Sequence, residues 1–372
     1  MNLPQLQNKS TAYNLVALMA ASLFLFFILI SGLFTAFFSK IKNLTNKKII
    51  IFILLFIFIE SFTGCINNEV GYIQMVKYTY PPDEGRHEGI NESWWLGCYV
   101  TSNSGDEFFI CGLYVIRSNG DLIQAISVND INNGFLFSKM NNYESGFFSY
   151  NLSKLDLQIG PTEHWFQINT SSFTYKFITE ISDELSDVSL DLIIESKKGP
   201  TIQDTLGAIS DKLNKTAYYD HTRCDVTGEL IIFNKKIMVH GTGYISREWG
   251  DVLGGSWQWS AIQLENNYEI CAAKFQNING INEAGWLVNP DGNVKEISDL
   301  EIKITEYSHE WWSEKWFLKS DDEGFNLTVE LMSDLNKVIN LNEGICSVEG
   351  LWRNNKIEGI CFSEQTTRFP NN

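Results

Sequence analysis

Two stretches of the sequence bring acids, bases and aromatic rings close enough together to share a reaction. The first is Tyr80-Pro81-Pro82-Asp83-Glu84-Gly85-Arg86-His87, followed by Glu92-Ser93-Trp94-Trp95. It offers an imidazole and several carboxylates beside two indoles, which suits a pocket with an apolar wall and a polar end. The same residues would equally serve as a loop that plugs a barrel mouth. The second stretch is His240-Gly241-Thr242-Gly243-Tyr244-Ile245-Ser246-Arg247-Glu248-Trp249-Gly250. If it is a strand, His240, Thr242, Tyr244, Ser246 and Glu248 point to one face. Val239, Ile245, Trp249 and the stem of Arg247 point to the other. Gly241 and Gly243 admit close backbone approach, so the polar face could line a cavity instead of meeting solvent.

Further aromatic and acidic residues recur towards the carboxyl end. Trp257-Gln258-Trp259 sets two indoles on a common face, Glu349-Gly350 and Glu364 fall on two late strands, and His309, Trp311 and Trp312 form another aromatic group. No HExxH, histidine cluster or GxSxG is present, so neither a metal site nor serine acyl transfer is expected. The paired glycines lack the spacing and following helix of a nucleotide loop. No cofactor is expected.

These residues must be positioned by strands. Short runs rich in Val, Ile, Phe, Tyr and Trp recur after residue 70, broken by turns such as Ser118-Asn119-Gly120 and Pro290-Asp291-Gly292. This predicts an all-β protein of hairpins, a sandwich or barrels, with one short helix at Ile202 to Leu213. The length favours two barrel-like halves, residues 70–225 and 226–368. With 28 Lys plus Arg against 45 Asp plus Glu and a net charge of -17, nucleic acid is an unsuitable partner.

Residues 1–65 differ from the rest. Leu15 to Phe38 is long and apolar enough to cross a bilayer, a loop with Lys40, Lys42, Lys47 and Lys48 follows, and Ile49 to Ile59 is apolar again. The basic loop predicts a main domain outside the cytoplasm, held at a membrane. The second run also resembles a lipoprotein signal, with Cys65 as the lipid-bearing residue.

An oxidising compartment would permit three disulfides among the six later cysteines. Mirror pairing about a turn at Ser104-Gly105 sets Cys98 opposite Cys111, and a turn at Asn354-Asn355 brings Cys346 close to Cys361. Cys224 and Cys271 would remain as the third pair. The alternative is six small buried hydrophobes.

Taken in order, the four patches resemble the lipocalin-like family that includes carotenoid 1,2-hydratases (hydroxyneurosporene synthases) and fungal Diels-Alderases. The family's opening Pro-x-Asp-x-Gly-x-His and Glu-Trp-Trp are matched by Pro81, Asp83, Gly85, His87, Glu92, Trp94 and Trp95, with Ser93 interposed. Its Tyr-x-x-x-Arg is matched by Tyr219 and Arg223, its central strand by Gly241 to Gly250, and its Trp-x-Trp by Trp257 and Trp259. Glu349-Gly350 and the run Gly359 to Glu364 match its last two strands. The resemblance implies two consecutive lipocalin-like β-barrel domains with a hydrophobic cavity at or between them, and an apolar, isoprenoid-type ligand.

The resemblance also implies water addition to a double bond without a cofactor, but the family's acidic residue is replaced by Ser246. A hydroxyl cannot protonate carbon, so Glu248, two residues along the same face, becomes the expected donor. Tyr244 and Trp249 would hold the chain or stabilise positive charge. Glu92 or Glu364 would orient the water. His87, Trp94, Trp95, Tyr219, Arg223, Ser246, Arg247, Trp257, Trp259 and Glu349 are the expected cavity residues. A non-catalytic lipid-binding protein and an isoprenoid or polyketide cyclase are the alternatives. No protein partner is indicated.

Overall fold

The computed structural model describes residues 82–366, apart from 160–162, 183–186, 203–215, 251–255, 278–279, 309–311, 333–335 and 339–340. The expected leader at 1–65, Cys65 included, and nearly all of the expected helix after Ile202 lie outside the described residues. The described residues form two antiparallel sheets with no α-helix; one turn of 3-10 helix, Pro82–Glu84, precedes the first strand.

The first sheet comprises β1 (Asn91–Ser102), β2 (Glu107–Ile116), β3 (Leu122–Asp130), β4 (Phe135–Tyr143), β5 (Phe148–Ser149) and β6 (Asp156–Ile159). It continues with β7 (Glu163–Asn169), β8 (Thr174–Ser182), β9 (Asp187–Ser196), β10 (Thr201–Ile202), β11 (Thr216–Ile232) and β12 (Lys235–Gly250). The second sheet begins with β13 (Ser256–Leu264), β14 (Glu269–Asn277), β15 (Gly280–Val288), β16 (Val294–Glu296) and β17 (Glu301–Tyr307). It ends with β18 (Ser313–Ser320), β19 (Phe325–Leu331), β20 (Asn336–Val338), β21 (Leu341–Trp352) and β22 (Asn355–Gln365).

The first sheet curls into a nearly closed barrel in the order β4-β3-β2-β1-β12-β11-β9-β8-β7-β6-β5, while the second is a half-barrel. The passage between them lies after Gly250 and before Ser256. The division expected at 225/226 falls inside β11, because that strand and β12 form one long hairpin of the first sheet.

Strand alternation sorts the side chains into three cores. Trp94, Leu96, Cys98 and Val100 of β1 and Val239 and Ile245 of β12 fill the first barrel. Leu264, Ile270, Trp316, Leu327 and Val348 fill the second sheet's concave side. The third core lies between the sheets, where Trp95, Phe109, Leu113 and Tyr244 of the first meet Ala261, Cys271, Trp286 and Phe362 of the second. The close approach of β1 to β12 depends on Gly241: a Cβ there would fall 2.1 Å from the Tyr99 carbonyl oxygen.

All six described cysteines are free buried thiols, so the three expected disulfides are absent. The register gives the reason for two of them. Cys111 pairs with Gly97 and Cys98 with Ile110, so the two thiols sit on opposite faces of the sheet. Cys224 belongs to the first barrel's core and Cys271 to the core between the sheets. Cys346 and Cys361 are direct cross-strand partners, nearer to exact opposition than expected, yet both remain thiols.

Candidate functional site

The polar face of β12 turns towards the second sheet. Tyr244 is buried between the sheets, edge-on to Trp95 at 5.6 Å and stacked on Phe362 at 6.2 Å. Glu248 lies further along the same face, and Tyr218 of β11 is its direct cross-strand partner. Ser246 is partnered in the same way by Asp220. A carboxyl therefore stands beside the Ser246 hydroxyl, one strand over.

Each sheet presents one half-buried carboxyl backed by a fully buried one. On the first, Glu248 is half-buried and Asp220 is wholly enclosed. Asp220 accepts a hydrogen bond from the Tyr244 hydroxyl, which lies 2.8 Å from the Tyr218 hydroxyl. On the second, Glu364 is half-buried and accepts a hydrogen bond from the Trp257 indole, while its cross-strand partner Glu343 is wholly enclosed. Trp259 stands beside Glu364 in register, touches the Tyr218 ring at 5.5 Å and lies 6.3 Å from Trp286.

This aromatic lining shifts the acids strongly. Burial pushes Asp220 up to about 8, even against hydrogen bonds from Tyr218, Tyr244 and Cys271. Burial and then the charge of Glu364 push Glu248 up to about 8, opposed by Arg247. Burial raises both Glu343 and Glu364, Glu343 further because the negative charge of Glu364 faces it. The indole donor favours the anion at Glu364, so a proton shared by this pair resides on Glu343. Glu248 on the first sheet thus lies close enough to Glu364 on the second for the charge of Glu364 to raise it.

A family model described as AttH-like matches residues 116–366. The chain belongs to the AttH-like family. The fold of this AttH-like chain is similar to that of an AttH-type protein from Nitrosomonas europaea, with a TM-score of 0.65 and 14% identity over 80% of this chain and 99% of that one. It is also similar to kievitone hydratase from Nectria haematococca, with a TM-score of 0.63 and 14% identity over 81% and 94% of the two chains. No curated protein matches the sequence.

The other expected residues of the AttH-like chain form a second assembly on the opposite face of β1 and β12. Glu92 is enclosed and ion-paired with both Arg86 and Arg247, and it accepts a hydrogen bond from the His87 backbone at 3.1 Å. Burial alone would raise its carboxyl, but Arg247, the His87 hydrogen bond and Arg86 together hold it below the ordinary range. Arg247 lies 3.9 Å over the Trp94 ring, and His87 stacks on Trp249 at 4.8 Å. Tyr219 packs edge-on to Trp249. The segment with Asp83 to His87 therefore plugs the first barrel, and Trp94 and Trp249 belong to that plug and not to the core between the sheets.

Two expected residues stand elsewhere. A register shift between His221 and Cys224 breaks the alternation of β11, so Arg223 turns outward from the face that holds Tyr219. Arg223 bonds Glu269 of the second sheet at 2.6 Å, and Glu269 also bonds Lys198 at 2.6 Å. Arg223 and His240 line a groove of about 500 Å³ with Thr242, Leu264 and Ile360. Glu349 is exposed, with Glu358 as its cross-strand partner.

Sequence reasoning did not single out Tyr218, Asp220 or Glu343. The first two were legible in principle, since Tyr218-Tyr219-Asp220 is an alternating neighbour of the Tyr-x-x-x-Arg motif. Among the described residues no group of His, Cys, Asp and Glu could hold a metal ion.

Proposed function

We propose that this chain adds water to a trisubstituted carbon–carbon double bond of an apolar, isoprenoid-type substrate bound in the cleft between the sheets. The nearness of half-buried Glu248 to half-buried Glu364, beside the Trp257 and Trp259 indoles, carries this reading. Glu248 transfers its proton to the less substituted alkene carbon, leaving a tertiary cation on the other. Water attacks the cation, and Glu364 accepts the proton released from the oxygen. The rings of Trp259 and Tyr218 can stabilise the cation through their π faces. The resemblance to carotenoid 1,2-hydratases supports the reading, and so does a similar fold that belongs to a hydratase.

The test is mass spectrometry of apolar alkenes incubated with the protein in oxygen-18 water. A labelled alcohol from the wild type and none from Glu248→Gln is the expected result. Substrates that stay unlabelled with the wild type overturn the reading. Ser246, a hydroxyl where the family motif has an acid, favours the second reading, a lipid carrier, which predicts bound but unchanged substrate.

A further inference from the structure

We propose that Tyr218 is a further catalytic residue of this cleft, whose phenol oxygen accepts a hydrogen bond from the attacking water, and that Asp220, through Tyr244, is its positioning residue. The proposal rests on the hydration reading and names the group that holds the water.

The hydrogen-bond inventory fixes the direction of the chain. A phenol has one proton to donate and lone pairs to accept with. The Tyr244 proton is committed to Asp220 Oδ1, and when Asp220 is neutral its own proton sits on Oδ2, which faces the Cys271 sulfur, so Oδ1 still accepts. Tyr244 therefore accepts from Tyr218 across their 2.8 Å contact. Tyr218 also stands within hydrogen-bonding reach of Asp220, and donation there would run in the same inward direction. With its proton turned inward, the Tyr218 oxygen keeps lone pairs for the cleft.

The location suits that task. Tyr218 is half-buried, the cross-strand neighbour of Glu248, and its ring rests on Trp259, the register partner of Glu364. Asp220 is wholly enclosed, with the Cys271 thiol 3.8 Å from its second oxygen, so it acts through the phenols and does not touch substrate. Successive donation along the chain also polarises the terminal oxygen, which strengthens it as an acceptor.

Tyr218→Phe removes the oxygen and keeps the ring against Trp259. With squalene as substrate in oxygen-18 water, we expect kcat to fall about tenfold or more with KM unchanged. Asp220→Ala should lower kcat in the same way, since it frees the Tyr244 proton to turn towards Tyr218 and the Tyr218 proton to turn outward. The ultraviolet resonance Raman doublet of tyrosine reports whether a phenol donates or accepts. The wild-type minus Tyr218→Phe difference should read Tyr218 as a donor in the protein without substrate. An unchanged kcat, a loss confined to KM, or a Raman signature of Tyr218 accepting from Tyr244 overturns the proposal. Failure of the wild type to label squalene counts against the hydration reading, and the Raman result then decides the hydrogen-bond direction by itself.

Discussion

Asp220 and Ser246 are direct partners across β11 and β12, so a carboxyl and a hydroxyl stand side by side behind the tyrosines. Glu248, two residues along the same face, is the half-buried acid of this strand pair.

Glu248 must be protonated to act, and its carboxyl is pushed up to about 8. We expect kcat/KM to fall about tenfold per unit above that pH, and to fall again in acid as Glu364 takes up the proton it must lack to act as base. Glu248→Gln should remove about 100-fold or more of the rate, with the melting temperature unchanged or raised. A pH–rate profile with calorimetry on both proteins checks this.

Asp220 makes the protein less stable as pH rises. Its folded value, about 8, lies above its ordinary 3.8, so its stabilising contribution is complete below the ordinary range and is lost as pH climbs through about 8. Asp220→Asn has no charge to bury. It should gain about 2 kcal/mol over the wild type at pH 8 and much less at pH 5, measured by urea unfolding.

Glu92 is enclosed between two guanidinium groups that have no better partner. Glu92→Ala should cost about 3–5 kcal/mol by leaving Arg86 and Arg247 unpaired away from water. Denaturant unfolding of this variant beside Glu92→Gln measures the loss.

The six free thiols between Cys98 and Cys361 give a direct chemical check. Unfolding the described domain without reductant in the presence of iodoacetamide should label all six cysteines. In the folded state every one is buried and should resist labelling.

Much of this arrangement was legible because alternation is a local rule. The division of His240 to Trp249 into a Tyr244–Glu248 face and an Ile245–Trp249 face follows from strand geometry alone, and the structure keeps it. Trp94 and Trp95 are adjacent residues and so must part company, one into the barrel and one into the core between the sheets. Parity misled at the Ser104-Gly105 turn: counting from its middle sets Cys98 against Cys111, but the strands pair one residue off that count. At the other end, Arg353 and Asn354 both take positive φ, 48° and 67°, in a two-residue turn that sets Cys346 against Cys361. The shift between His221 and Cys224 had no compositional marker, so Arg223, expected in a cavity together with Tyr219, reaches the second sheet instead. Glu343 was missed because a single Glu in an apolar run signals nothing until its cross-strand neighbour is known.

The core shared by the two sheets also sets a limit on dissecting this protein. Trp95 and Tyr244 need Phe362, Arg223 needs Glu269, and buried Gln263 donates to the carbonyls of Thr222 and Gly243. A cut in the segment after Gly250 would give two fragments, each with a bare oily flank and stranded polar groups. Such halves should precipitate when made separately and recover solubility when produced together.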